Sequence, residues 1–320
     1  MTIKKVLNLL IKFAITLGIF YYLLKSGKLN FDRLILFWEH PITLFKILFI
    51  LVVIIVPIAT FRWWLLLRAQ NIELPIGRSF LLTWIGNFFN TTLPGSVSGD
   101  VVKGFYVIKA NQSSEKTKAF MTLLIDRFTG LFGLIVMAFI ALLINWPLLI
   151  SQPRLHPLAY AVSVLFLGIV IFYGIVFFPF KEGKDPFIKV LTILPKNKFS
   201  LKIYTTFKSY QNHKKTLLNT LLLSIVIHTS VAFVFVLITG MMGINNMEVA
   251  TQMFIMPIGL ITVAIPIAPG GVGVGHVAFD SLYAIVGIMG GADVFNLYII
   301  LQLAVYLMGG IVYFVYNDEY

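Results

Sequence analysis

The sequence predicts an all-α polytopic membrane protein, and three observations carry that prediction. Of its 320 residues, 59% are apolar and 12% are charged, against roughly one quarter charged in soluble domains. Several stretches approach or exceed the ~20 apolar residues that cross a hydrocarbon core, most cleanly Leu217–Met242 and Val294–Tyr316. Lysine and arginine gather mostly between such stretches, as the positive-inside rule expects. The net charge of +12 therefore reads as topology and not as a nucleic-acid surface. With no cysteine in the chain, disulfides, thiol catalysis and cysteine-based metal sites are excluded.

Six full spans follow in order: Val6–Leu24, Pro41–Leu67, Ala119–Asn145, Pro157–Phe180, Leu217–Met242 and Val294–Tyr316. The first resembles a signal sequence superficially, but Lys12 interrupts it and no small-residue cleavage site follows, so it reads as an uncleaved span. Lys4, Lys5 and Lys12 place the N-terminus in the cytoplasm. Arg68, Arg78, Lys103, Lys109, Lys116 and Lys118 do the same for the segment between the second and third spans. The strongest vote is residues 181–216, with nine lysines. Residues 146–156 hold only Arg154, and 243–248 hold no basic residue, so both lie outside. The loop 25–40 fits less well, with Lys25, Lys28 and Arg33 beside Asp32 and Glu39. Both termini are expected in the cytoplasm and the whole of residues 1–320 in one domain of the inner (cell) membrane. The mixed apolar and basic loop 181–216 is expected to form an interfacial helix pair on anionic lipid, or else a plain solvated loop.

Two apolar stretches remain, about 79–118 and about 249–290, and each is broken by Pro-Gly. The first contains "PGSVSG" (Pro94–Gly99) and the second "PGGVGVG" (Pro269–Gly275). Proline removes a backbone donor and glycine accepts unusual dihedrals. The freed backbone groups cannot face lipid unpaired. Each elbow is therefore expected at the tip of a re-entrant hairpin buried at a cavity, the alternative being an ordinary turn outside the membrane. The charge counts make the two hairpins enter from opposite sides. That is the pattern of inverted repeats, whose interrupted helices meet near the midplane.

The segments "FRWWLLLRAQ", "IGNFFNTTLPGSVSGDVVKGFYV", "LLIDRFTGLFGL" and "APGGVGVGHVAF" occur in this order. Together they make the chain resemble the lysylphosphatidylglycerol synthase transmembrane region, a flippase-like family of inner-membrane proteins. The resemblance covers nearly the whole chain. It implies movement of aminoacylated phospholipid between leaflets, and carries most firmly to Pro94, Gly95, Gly99, Asp100, Asp126 and Arg127. Two departures stand out: Gly275-His276 where relatives often have Arg-Glu, and Ser98 and Lys103 where Gly and Arg are common.

The candidate lipid-binding residues are Asn87, Asn90, Pro94, Gly95, Ser96, Gly99, Asp100, Lys103, Asp126, Arg127, Pro269, Gly270, Gly271, Gly273 and His276. Charges inside apolar segments are costly and need a partner or a cavity. Arg127 meets either a lipid phosphate, whose geometry its fork matches, or a structural partner such as Asp100. Asn87 and Asn90 share a helical face and either cap the elbow or touch a headgroup. His228 reads as an interhelical hydrogen bond in preference to a proton carrier, His276 as a pH-sensitive candidate, and Arg62 as an interfacial anchor with Trp63 and Trp64.

"GGVGVG" lacks the flanking strand and acidic residue of a dinucleotide site. No cofactor, metal or nucleic acid is expected, and the oligomeric state is left open. The leading function is a lipid translocator for an anionic or aminoacylated phospholipid or a lipid-linked sugar. The alternatives are a membrane-embedded transferase on a lipid or polyprenyl-linked substrate, and a non-catalytic partner of a separate lipid-modifying synthase.

Overall fold

The computed structural model describes residues 32–92, 97–111, 116–180, 185–193, 198–245, 247–264 and 274–316. The expected first span, Val6–Leu24, lies outside these residues, as do both Pro-Gly elbows. Within them the chain is helical, and no strand occurs. Eleven helices carry the architecture: α1 (Pro41–Ala69), α2 (Ile76–Thr92), α3 (Ser98–Asn111), α4 (Lys116–Ile144), α5 (His156–Phe177), α6 (Pro186–Ile193), α7 (Lys198–Lys208), α8 (Lys214–Met241), α9 (Val249–Ala264), α10 (Val274–Ile285) and α11 (Gly291–Val315). The short helices Ile35–Glu39 and Trp146–Ser151 sit in connections.

Helices α1, α4, α5, α8 and α11 are long and apolar enough to cross a membrane. They coincide within a few residues with five of the six expected spans. Helix α1 is not uniform. Residues Ile50–Ile55 form a π-helix just before Pro57, where the missing proline N–H and its ring disturb the α-ladder. The Val56 N–H donates to Leu51, five residues back. Wider pitch keeps the backbone paired where lipid offers no partner.

Close approach through small residues holds the helices together, since lipid tails provide no hydrophobic force between spans. A Cβ on Gly99 of α3 would overlap the Gly86 carbonyl of α2, and a Cβ on Gly309 of α11 would overlap the Trp84 carbonyl of α2. Larger side chains fill the centre. Phe235 of α8 stacks on Phe279 of α10 at 5.0 Å, and Phe279 stacks on Phe295 of α11 at 4.9 Å. All three are fully buried.

The two pairs α2–α3 and α9–α10 are the arms of the two broken stretches. Each pair packs antiparallel: Asn90 reaches Gly99 in the first, and Gln252 accepts from Tyr283 in the second. Helix α11 serves both. Arg78 near the start of α2 bonds Tyr316 just beyond the end of α11, and Phe88 packs on Gly310. From the other side, Gly291 packs against Phe279 and Tyr283, and His276 reaches Asn296. The described arms thus run along α11 from opposite ends toward its middle. There, Gln302 donates to the Tyr298 and Tyr306 hydroxyls at 2.9 and 3.4 Å.

Candidate functional site

The site is built around consecutive charges on α4. Neighbouring helix residues point about 100° apart, so Asp126 and Arg127 leave α4 in different directions. Asp126 faces α1, where Arg62 holds it with two bonds, Nε to Oδ1 at 2.7 Å and Nη2 to Oδ2 at 3.0 Å. The third arm of the guanidinium donates to Ser224 of α8 at 2.9 Å. Gly130, one turn beyond Asp126, leaves room for the fork, since a Cβ there would sit 3.3 Å from Arg62 Nη1. Its carbonyl pairs with His228 Nε2 at 2.9 Å. Three spans are therefore stapled by one buried arginine.

This arrangement corrects the expectation for Arg62. It is not an interfacial anchor: it is 9% exposed and its partner Trp63 is fully buried. The apolar run around it resembles an aromatic belt, but Asp126 requires a counter-charge, and Arg62 is placed to meet it. His228 behaves as expected, as an interhelical hydrogen bond.

Arg127 faces the first broken stretch and pairs through Nε with Asp100 in the first turn of α3. One turn further along α3, Lys103 is 7% exposed. Its stem lies in the space that Gly86 leaves by having no side chain, and its ammonium stands 3.9 Å from the centre of the Trp63 ring. The charges of Asp100, Asp126, Arg62 and Arg127 all act on it. Among the described residues, the aromatic face is its direct neighbour and no oxygen accepts from it.

A cavity of about 220 Å³ opens beside this pair. Its walls are Val97, Asp100 and Val101 of the first broken stretch, Phe120, Met121, Leu123, Leu124 and Arg127 of α4, and Lys202 and Ile203 of α7. The inner surface is largely apolar, with Asp100, Arg127 and Lys202 as its charged members, a combination that suits an amphipathic guest.

The other expected site residues divide as follows. Asn90 accepts the Gly99 N–H at 2.9 Å, and the Ser98 hydroxyl donates to Phe89 at 2.9 Å. Both tie the two arms together beside the break, so Asn90 caps backbone as one reading expected. Asn87 is half-buried and its side-chain amide makes no bond to a described residue. Asp126 stands behind the cavity wall and not on it. His276 lies at the second broken stretch against Asn296 and the edge of Phe295, away from Asp100 and Arg127. Pro94, Gly95, Ser96, Pro269, Gly270, Gly271 and Gly273 lie outside the described residues. No group of three or more metal-ligating side chains occurs among the described residues.

Two contributors escaped sequence reasoning. Ser224 had no signal beyond being a hydroxyl in an apolar span. Lys202 is one of nine lysines in its loop, and nothing local marks it as the one that reaches the cavity.

These features define a class: polytopic helical membrane proteins with two broken helix pairs and a charged cavity beside one of them. More specifically, the chain belongs to the family of the lysylphosphatidylglycerol synthase TM region, whose family model matches residues 9–312. It is also similar to a UPF0104 membrane protein of Pyrococcus horikoshii, with 25% identity over 251 residues, covering 71% of this chain and 72% of that protein. No solved structure matches the chain.

Proposed function

We propose that this protein is a lipid translocator of the cell membrane. In this reading it passes a phospholipid or lipid-linked headgroup between leaflets while the tails stay in the bilayer. The observation that carries it is the Asp100–Arg127 pair on the wall of a largely apolar cavity, beside the break of a helix pair. A headgroup leaving water needs replacement partners for its charge. An arginine paired with a carboxylate can exchange that partner for a phosphate, because its fork suits both. Membership of a family described by a lipid-modifying synthase's membrane region supports a lipid substrate. The orientation of the termini toward the cytoplasm and the re-entrance of both broken pairs belong to the same reading.

The direct test uses purified protein in vesicles carrying a fluorescent phospholipid, with a membrane-impermeant quencher added outside. Translocation predicts that quenching passes the half-way plateau of protein-free vesicles. Quenching that stops at that plateau for the full range of labelled headgroups contradicts it.

A further inference from the structure

Helix α7 converts the cleft into a site with an outer wall. Lys202 and Ile203 line the same cavity as Asp100 and Arg127. The helix is firmly seated. Tyr204, Phe207 and Tyr210 are buried beneath it. The Tyr204 hydroxyl donates to Asp185 at 2.6 Å, and that of Tyr210 to the Leu66 carbonyl of α1 at 3.0 Å. Lys208 donates to the Val176 and Phe178 carbonyls at the end of α5, at 3.3 and 2.6 Å. Such anchors fix the backbone that carries Lys202, while its own side chain is exposed at the cavity mouth.

The charges around this mouth do not balance. Asp126 is held by Arg62, and Asp100 by Arg127. Of the described residues that line the cavity, Asp100, Arg127 and Lys202 carry charge, which leaves Lys202 as a cation beyond the Asp100–Arg127 pair. A cation beside a largely apolar cavity favours an anionic guest.

We propose that Lys202 is a second headgroup-binding cation, and that the site selects an anionic, phosphate-bearing lipid over one whose headgroup carries an esterified lysine. This rests on the lipid-translocator reading and narrows it. A phosphodiester supplies the negative charge the cluster lacks. It is bridged by Arg127 on the inner wall and Lys202 on the outer one. A lysyl ester adds two ammonium groups to the same phosphate and adds to the positive excess, and Asp100, the one carboxylate among the described lining residues, is already engaged.

The test separates binding from movement. Wild type, Lys202→Glu, Lys202→Arg and Lys215→Glu are placed in phosphatidylcholine bilayers holding a minor fraction of phosphatidylglycerol or of its lysyl ester. Retained lipid is counted by native mass spectrometry. Lys215 is exposed at the start of α8 and does not line the cavity, so it controls for surface charge. Wild type should retain phosphatidylglycerol roughly tenfold better than the lysyl ester, the scale of one charge-assisted contact. Lys202→Glu should remove that preference, while Lys202→Arg and Lys215→Glu keep it. Equal retention of the two lipids, or equal effects of Lys202→Glu and Lys215→Glu, would overturn the proposal. So would displacement of the lipid by millimolar inorganic phosphate, which would make the site one for free phosphate. Lys202-dependent retention without lipid movement would contradict translocation and leave this site standing. Movement without Lys202-dependent retention would do the reverse.

Discussion

Asp126 is bound by Arg62 and Arg127 by Asp100, and the two pairs have different work to do. The first is closed: three donors of one guanidinium are spent on Asp126 and Ser224. Removing one partner leaves an uncompensated buried charge, which costs about 3–5 kcal/mol. Arg62→Leu should therefore lower the unfolding temperature in detergent sharply, while Arg62→Leu with Asp126→Leu should recover most of the loss. A double variant as unstable as the single one would show that the fork is needed for more than charge balance. The sequence made it plain that Asp126 and Arg127 need partners, and it offered Asp100 as one. It did not reveal Arg62, because an arginine beside two tryptophans matches an interfacial belt equally well. The choice between those readings depends on which face of α1 meets α4, a tertiary fact.

At the level of elements, the broken stretches are legible because proline, glycine and small residues interrupt otherwise apolar runs. The packing that joins their arms is less so. Gly86 and Gly99 lie on opposite sides of the break, and only the fold brings them together. A Cβ at Gly99 meets backbone that cannot turn aside. Gly99→Ala should thus cost about 1–3 kcal/mol, whereas Gly168→Ala in α5, with nothing within 4 Å, should be neutral or slightly stabilising. Thermal unfolding of the two variants side by side checks this, and equal effects would remove the close-packing argument. Both arm pairs also follow α11 inward from opposite ends. The first pair meets α11 at Gly309 and Gly310 through Trp84 and Phe88, and the second meets it at Asn296 through His276, so about thirteen residues, or roughly 20 Å of helix, separate these contacts. Cysteines at Val97 and Val274, in a chain with none of its own, should be joined by a flexible cross-linker of that reach. Failure to join while both positions react singly would end the idea that the breaks converge. The π-helix before Pro57 was not foreseen, since proline alone does not say whether a helix will kink, end or widen.

For the whole molecule, composition fixed the class and lysine placement made the topology a prediction of its own. Ser200→Cys should be shielded from an impermeant maleimide in intact cells, and Ile150→Cys should react. External labelling at position 200 would invert the scheme. What composition could not supply is the cavity, because its walls come from three segments far apart in the chain, and Lys202 joins Asp100 and Arg127 only through the burial of Tyr204, Phe207 and Tyr210. The central claim is that a headgroup binds Arg127 on its way between leaflets. It is tested most directly by the rate of labelled phosphatidylglycerol movement in vesicles containing wild type, Arg127→Lys or Arg127→Ala, each matched for folded protein by its thermal unfolding. A lysine keeps the charge but loses the two-pronged contact, so the account predicts a slower rate by roughly tenfold for Arg127→Lys and a rate near that of protein-free vesicles for Arg127→Ala. A stably folded Arg127→Ala protein that moves lipid at the wild-type rate would contradict it, and would leave the Asp100–Arg127 pair as a strut for the broken helix.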